Sequence, residues 1–276
     1  MTDWTTVSVI VGAEDLDLAV GLAWEAGVSG IEERERPDGS VELRLGCETA
    51  VVPAVTGALE DRWAVRIEVV SSTEGLDAWR DHAEIRYAGP FVIVPAWMQV
   101  PGDVDGDDVL VIDPGHAFGS ASHETTRLCL EIIGELVTPG TRVADIGCGS
   151  GILSVAAARR GAASIVAIDV VDEAVHATSM NADRNDVGQF VAASTTPVGE
   201  LASASFDLIL ANIGAATLCS MAEELVRCLD DRGTLVLSGV LDEQVDIVVS
   251  AFLHVAVFEV EERVDGEWCA LILRRR

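Results

Sequence analysis

The chain has 276 residues, enough for one large or two small domains with a substantial core, and its 49% hydrophobic and 23% charged composition is that of a soluble globular protein. A formal net charge of -28 argues against direct nucleic-acid binding, which needs basic surface to displace counterions from phosphates, and is compatible with a basic protein partner. No run reaches the roughly 18 consecutive apolar residues of a membrane span, and Met1-Thr2-Asp3-Trp4-Thr5-Thr6 lacks a basic start followed by an apolar stretch, so the expected location is the cytoplasm, away from membranes.

The first seventy residues predict strand 6–11, helix 16–26 and strand 30–35; after the turn Pro37-Asp38-Gly39 come strand 41–45, helix 51–59 and strand 65–70. That order is a split βαββαβ arrangement, a small ferredoxin-like α+β domain over 1–70. The polar, Gly-containing Ser71-Ser72-Thr73-Glu74-Gly75 marks a boundary, and residues 71–86 read as a linker with a short helix over 76–82 that carries Trp79.

A hairpin-like pair follows at 91–94 and 109–112, joined through the acidic stretch 101–108. The acids there do not fall in the register of an EF-hand, so that stretch reads as a surface turn. Helix 125–136, strand 142–146, helix 152–160, strand 164–169, helix 173–185, strand 207–211, helix 216–229 and strand 234–238 then alternate, and helix 244–251 with strands 254–263 and 268–274 closes the chain. The alternation predicts an α/β domain over 87–276, a parallel sheet wrapped by helices with ligands at the carboxyl ends of its strands. Six cysteines (Cys47, Cys129, Cys148, Cys219, Cys228, Cys269) form no C-x-x-C pair and read as small buried hydrophobes; no metal site is expected. All 18 basic residues are Arg.

The most informative stretch is Val143-Ala144-Asp145-Ile146-Gly147-Cys148-Gly149-Ser150-Gly151-Ile152-Leu153, a buried strand that breaks into a Gly-rich turn and opens a helix. Glycines at alternate positions let the backbone bend sharply and approach a ligand, and the helix start is expected to offer unpaired N–H groups. A dinucleotide fingerprint requires Gly or Ala at the sixth position of G-x-G-x-x-G, where this chain has Ile152. An acidic residue ahead of G-x-G-x-G resembles instead the first motif of S-adenosylmethionine-dependent methyltransferases. Strand 164–169 ends in Asp169, 22 residues after Gly147, where a carboxylate can accept both ribose hydroxyls.

Two more segments map to the same sheet edge. In Asp113-Pro114-Gly115-His116-Ala117-Phe118-Gly119-Ser120-Ala121-Ser122-His123-Glu124-Thr125-Thr126, Ser122 or Glu124 is positioned to cap the next helix, and Thr125 or Thr126 to present a hydroxyl near its positive end. A plain capped loop explains the Gly and Thr residues but not Phe118 between His116 and His123. The stretch Leu208-Ile209-Leu210-Ala211-Asn212-Ile213-Gly214 is a strand ending in Asn212, which either holds a ligand or caps the next helix.

Together with Gly161-Ala162-Ala163, Asn181-Ala182 and Asn185, Leu237-Ser238-Gly239 and Glu267-Trp268-Cys269, these motifs make residues 76–276 resemble the PrmA family, the methyltransferases of ribosomal protein L11. The resemblance implies a Rossmann-like class I methyltransferase sheet, S-adenosylmethionine as cofactor, and methyl transfer to lysine or N-terminal amines of a large-subunit ribosomal protein. It makes the small N-terminal domain the substrate-recognition part, and a monomer is expected. Cofactor contacts fall to Thr126, Gly147, Gly149, Asp169 and Asn212; the catalytic set is Asn212, Phe118 beside the acceptor, and His123 as a base or as an orienting residue at the helix start. The chain departs from the family at Glu124, in a position usually Pro, and at Thr217, where a Pro is usual. Rival readings are a related methyltransferase with another protein or small-molecule acceptor, and a cofactor-binding interaction module without turnover; the intact Asn212 and Thr126 favour an enzyme.

Overall fold

The computed structural model describes residues 4–12, 15–28, 30–36, 39–60, 62–68, 84–102, 104, 106–113 and 123–276. The chain divides into two compact units, Met1–Ala83 and Glu84–Arg276. The expected boundary at 71–75 and the short helix carrying Trp79 lie outside the described residues.

In the first unit, strands β1 (Trp4–Val11), β2 (Gly30–Glu35), β3 (Val41–Glu48) and β4 (Val65–Glu68) alternate with helices α1 (Leu16–Glu25) and α2 (Val52–Leu59). The sheet order is β2-β3-β1-β4, with antiparallel neighbours throughout. Period-two alternation sends Val7, Val9 and Val11 of β1 and Leu43 and Leu45 of β3 into one core with Ala19, Val55 and Leu59 from the helices.

The second unit opens with a three-stranded sheet, β5 (Arg86–Ala88), β6 (Phe91–Pro95) and β7 (Val109–Ile112). Here the structure corrects an expectation: β6 and β7, read as a hairpin, run parallel. The connection over residues 96–108 is far longer than a hairpin loop, and the true hairpin is β5–β6, closed at Gly89-Pro90, where Gly89 has φ +55.

The main sheet contains β8 (Arg142–Ile146), β9 (Ser164–Ile168), β10 (Val191–Ser194), β11 (Phe206–Asn212), β12 (Leu229–Leu241), β13 (Phe258–Asp265) and β14 (Trp268–Arg275), in the order β10-β9-β8-β11-β12-β14-β13. Only β14 breaks the parallel run, lying antiparallel to both β12 and β13. Strand β10 was not anticipated. Its short sequence, Val191-Ala192-Ala193-Ser194, carries almost no apolar signal, and it forms by pairing with β9 at the sheet edge.

Helices α3 (Glu124–Leu136), α4 (Ile152–Arg159) and α5 (Asp172–Arg184) follow in chain order, then α6 (Ala215–Ser220), α7 (Ala222–Cys228) and α8 (Val245–Leu253). One helix had been expected over 216–229; the chain breaks at Met221 (φ -102, ψ 5), where the Ser220 hydroxyl bonds the Thr217 carbonyl and competes with the helical ladder.

Both faces of the sheet are covered, and alternate residues divide between two cores. Val143, Leu208, Leu210 and Val236 join α3 and α4, whereas Ala144, Ile209, Ala211 and Leu237 join α6, α7 and α8. Each buried Leu or Ile contributes roughly 1.5–3 kcal/mol, whereas a surface ion pair contributes roughly 0–1 kcal/mol, so the apolar layers dominate the rigidity of the central strands. The Arg142 guanidinium holds Asp207 at 2.6 Å and Asp230 at 3.1 Å near the amino ends of β8 and β11, opposite the candidate site.

Candidate functional site

Sheet register sets the site. Ile146 pairs with Ile168 on one side and with Ala211 on the other, so the next residue on each strand path, Gly147, Asp169 and Asn212, stands at the same carboxyl edge. Gly147, Gly149 and Gly151 have φ of +74, +53 and +78, which an L side chain adopts only with strain. A Cβ on Gly147 would collide with Ile213 Cγ2, and one on Gly151 would lie 2.8 Å from Thr178 Cα. Two of the three glycines are therefore demanded by packing against the protein itself.

The Gly149 N–H donates to Asp169 Oδ2 at 3.0 Å, and the Val171 N–H donates to Oδ1 at 3.1 Å. The carboxylate is thus aimed by two backbone bonds, with further lone pairs left on both oxygens.

Asp145 is fully buried. The Ser154 hydroxyl donates to its Oδ2 at 2.6 Å. The start of α4 is thus tied to an internal carboxylate through the Ser154 hydroxyl. Among the described residues, Oδ1 of Asp145 has no partner. Burial pushes this carboxyl up to about 6, opposed by the Ser154 bond and reinforced by the negative charge of Asp169. Burial, with the Asp145 charge behind it, also pushes the Cys148 thiol up to about 12, which removes it as a nucleophile.

The other part of the site is the start of α3. Its N-cap is His123, whose Nδ1 accepts from the Thr125 N–H and lies 2.9 Å from Thr125 Oγ1. The expected caps are corrected: Glu124 is the first helical residue, where its charge suits the positive helix end and its carboxylate sits 3.6 Å from Arg127, while Ser122 lies outside the described residues. The His123 ring meets Trp268 edge-on at 4.8 Å, and Arg127 bonds Asp265 at 2.5 Å, so the β13–β14 hairpin braces the helix start.

Buried Thr126 accepts from Asn212 Nδ2 at 3.4 Å. Asn212 is not a helix cap; that position belongs to Gly214, which has no side-chain bond. The structure thus joins Gly147, Gly149 and Asp169 in one cluster and His123, Thr126 and Asn212 in a second, with Ile213 against Gly147 between them. Phe118 and His116 lie outside the described residues.

Sequence reading missed the roles of Ser154 and Thr178. Ser154 carried no distinguishing signal, whereas Thr178, Asn181 and Asn185 form a polar stripe at helical spacing on the buried face of α5 and its C-cap, which was open to view. An orphaned buried carboxylate oxygen beside a second, backbone-aimed carboxylate fits a ligand with ribose hydroxyls and positive charge, as S-adenosylmethionine has. Among the described residues no group of His, Cys, Asp or Glu is arranged to hold a metal ion, and no helix is long and apolar enough to cross a membrane.

Residues 48–276 match the family model "Ribosomal protein L11 methyltransferase (PrmA)". A ribosomal protein L11 methyltransferase of Pelobacter propionicus is 41% identical over 217 residues, covering 76% of this chain and 69% of its own. One from Chloroflexus aurantiacus is 32% identical with 99% and 98% covered. The crystal structure of a ribosomal protein L11 methylase from Lactobacillus delbrueckii subsp. bulgaricus superposes with a TM-score of 0.64 at 31% identity, over 70% of this chain and 98% of that one. A class I methyltransferase sheet, the motifs at its carboxyl edge and these matches lead to one conclusion: the chain belongs to the ribosomal protein L11 methyltransferase (PrmA) family.

Proposed function

We propose that this chain transfers methyl groups from S-adenosylmethionine to lysine or N-terminal amines of ribosomal protein L11 in the cytoplasm, with the first seventy residues docking the substrate protein. The observation that carries the reading is the convergence of Asp145, Gly149, Asp169, Thr126 and Asn212 on one sheet edge. The bound cofactor supplies a sulfonium that already activates its methyl group, so the protein's task is alignment and exclusion of water.

Asp169, aimed by the Gly149 and Val171 N–H groups, would accept the ribose hydroxyls, and Oδ1 of Asp145, without a partner among the described residues, would accept from the cationic end of the cofactor. The acceptor amine must first lose a proton. A lysine with a pKa near 10.4 makes that loss cost about 4–5 kcal/mol at pH 7. Asn212 bears on this cost: its amide nitrogen is engaged by Thr126, which leaves Oδ1 to accept from the amine and hold its lone pair toward the methyl group. Phe118 supplies the apolar side of the acceptor position and favours the neutral amine. Since Nδ1 of His123 is taken up by the helix cap, His123 acts by orienting the start of α3 rather than as a base.

Purified protein incubated with radiolabelled S-adenosylmethionine and ribosomal protein L11 should label L11, with peptide mass spectrometry locating the methyl groups on lysines or the terminal amine. A chain beginning at Leu76 should bind the cofactor yet fail to label L11. Label on other proteins of a cell extract but none on L11 would refute the acceptor, and full activity in the shortened chain would refute the docking role.

A further inference from the structure

Helix α5 and its C-cap turn a polar stripe to the interior: Thr178 and Asn181 are 0% exposed and the C-cap Asn185 is 1% exposed. Such burial is costly unless the polar atoms are bonded, and here the bonds go chiefly to the backbone of other segments. Asn185 accepts from the Val111 N–H at 2.8 Å and donates to the Val111 carbonyl at 2.8 Å and the Asn181 carbonyl at 2.7 Å. Asn181 accepts from the Asp113 N–H at 2.9 Å and donates to the Asp113 carbonyl at 2.8 Å; Arg184 also donates to its Oδ1. The two amides satisfy alternate residues of β7 and its exit as a neighbouring strand would.

Asn181, unlike Asn185, reaches the Gly-rich turn. It also donates to the Ser150 carbonyl at 2.8 Å, while Thr178 Oγ1 donates to the Gly149 carbonyl at 3.1 Å and approaches Cys148 Sγ at 3.2 Å. Two successive carbonyls of the Gly-rich turn are thereby tied back to α5, and Gly151 packs directly on Thr178.

We infer that Thr178 and Asn181 are positioning residues of the cofactor turn: by holding the Gly149 and Ser150 carbonyls they fix its backbone dihedrals, and so keep the Gly149 N–H on Asp169. Asn185 makes the same kind of strand contact without touching the turn, and so is the matched structural control. The inference rests on the cofactor reading given above.

The test is calorimetric binding of S-adenosylhomocysteine to the wild type, Thr178→Val, Asn181→Ala and Asn185→Ala, with melting temperatures on the same samples. Thr178→Val and Asn181→Ala should each bind about tenfold more weakly, equivalent to about 1.4 kcal/mol, while Asn185→Ala loses thermal stability but changes affinity by less than about twofold. With labelled S-adenosylmethionine, the two turn variants should show a raised KM for cofactor and a near-normal kcat at saturation. If Asn181→Ala does not fold, the nearly isosteric Thr178→Val carries the test. Unchanged affinity in the turn variants that fold, or equal weakening by Asn185→Ala, overturns the inference; a wild type that does not bind the probe overturns the cofactor reading and the inference with it.

Discussion

Asp145→Asn isolates the consequence of burying a carboxyl in the cofactor turn. The Asp145 carboxyl titrates near 6 in the folded protein against 3.8 ordinarily, because burial disfavours its charged form more than Ser154 restores it. A rise of about two units at about 1.36 kcal/mol each makes a folded-state penalty of about 3 kcal/mol. The native state binds the extra proton, so its advantage is fully present below about pH 4 and is lost as pH rises through about 6. Asparagine has nearly the same shape and never ionises. Urea unfolding of both proteins should therefore give similar stabilities near pH 4 and a variant more stable by about 3 kcal/mol near pH 7.5; titration of the other acidic side chains is shared and cancels in the difference. The same variant should bind S-adenosylmethionine more weakly at pH 7.5, since the unpartnered Oδ1 is then no longer an anion. A stability difference that does not change between pH 4 and 7.5 would refute the reasoning.

Two further substitutions test the opposite ends of the site. Asp169→Ala removes charge-assisted bonds worth about 1.5–3 kcal/mol each and should weaken S-adenosylmethionine binding at least tenfold; unchanged affinity by calorimetry would sink the ribose assignment. Asn212→Ala should lower the melting temperature only slightly, since it loses the long 3.4 Å bond to Thr126 but no helix cap, yet slow single-turnover methyl transfer by on the order of a hundredfold. A destabilised but fully active Asn212 variant would contradict the positioning role.

Much of the fold and part of the site were legible in the residues because the controlling physics is local. Alternating apolar residues announced the first unit, and buried runs such as Leu208-Ile209-Leu210-Ala211 announced central parallel strands. The three glycines of the turn and the acid closing β9 mark conformations and charges that short segments dictate by themselves. The reasons behind some of those residues were not local. Gly147 answers to Ile213 and Gly151 to Thr178, partners supplied by other elements.

The sequence by itself determined the α/β alternation, the Gly-rich corner and its two acids, since backbone sterics and burial periodicity act over a few residues. Only the tertiary structure decided that β6 and β7 run parallel and that Val191–Ser194 becomes an edge strand. It alone set His123 against Trp268, joined Thr126 to Asn212 and bent Asn181 onto both Asp113 and Ser150. Those contacts join residues far apart in the chain; they exist because the packed apolar layers bring the carboxyl ends of the strands to one edge, where buried polar groups must find partners.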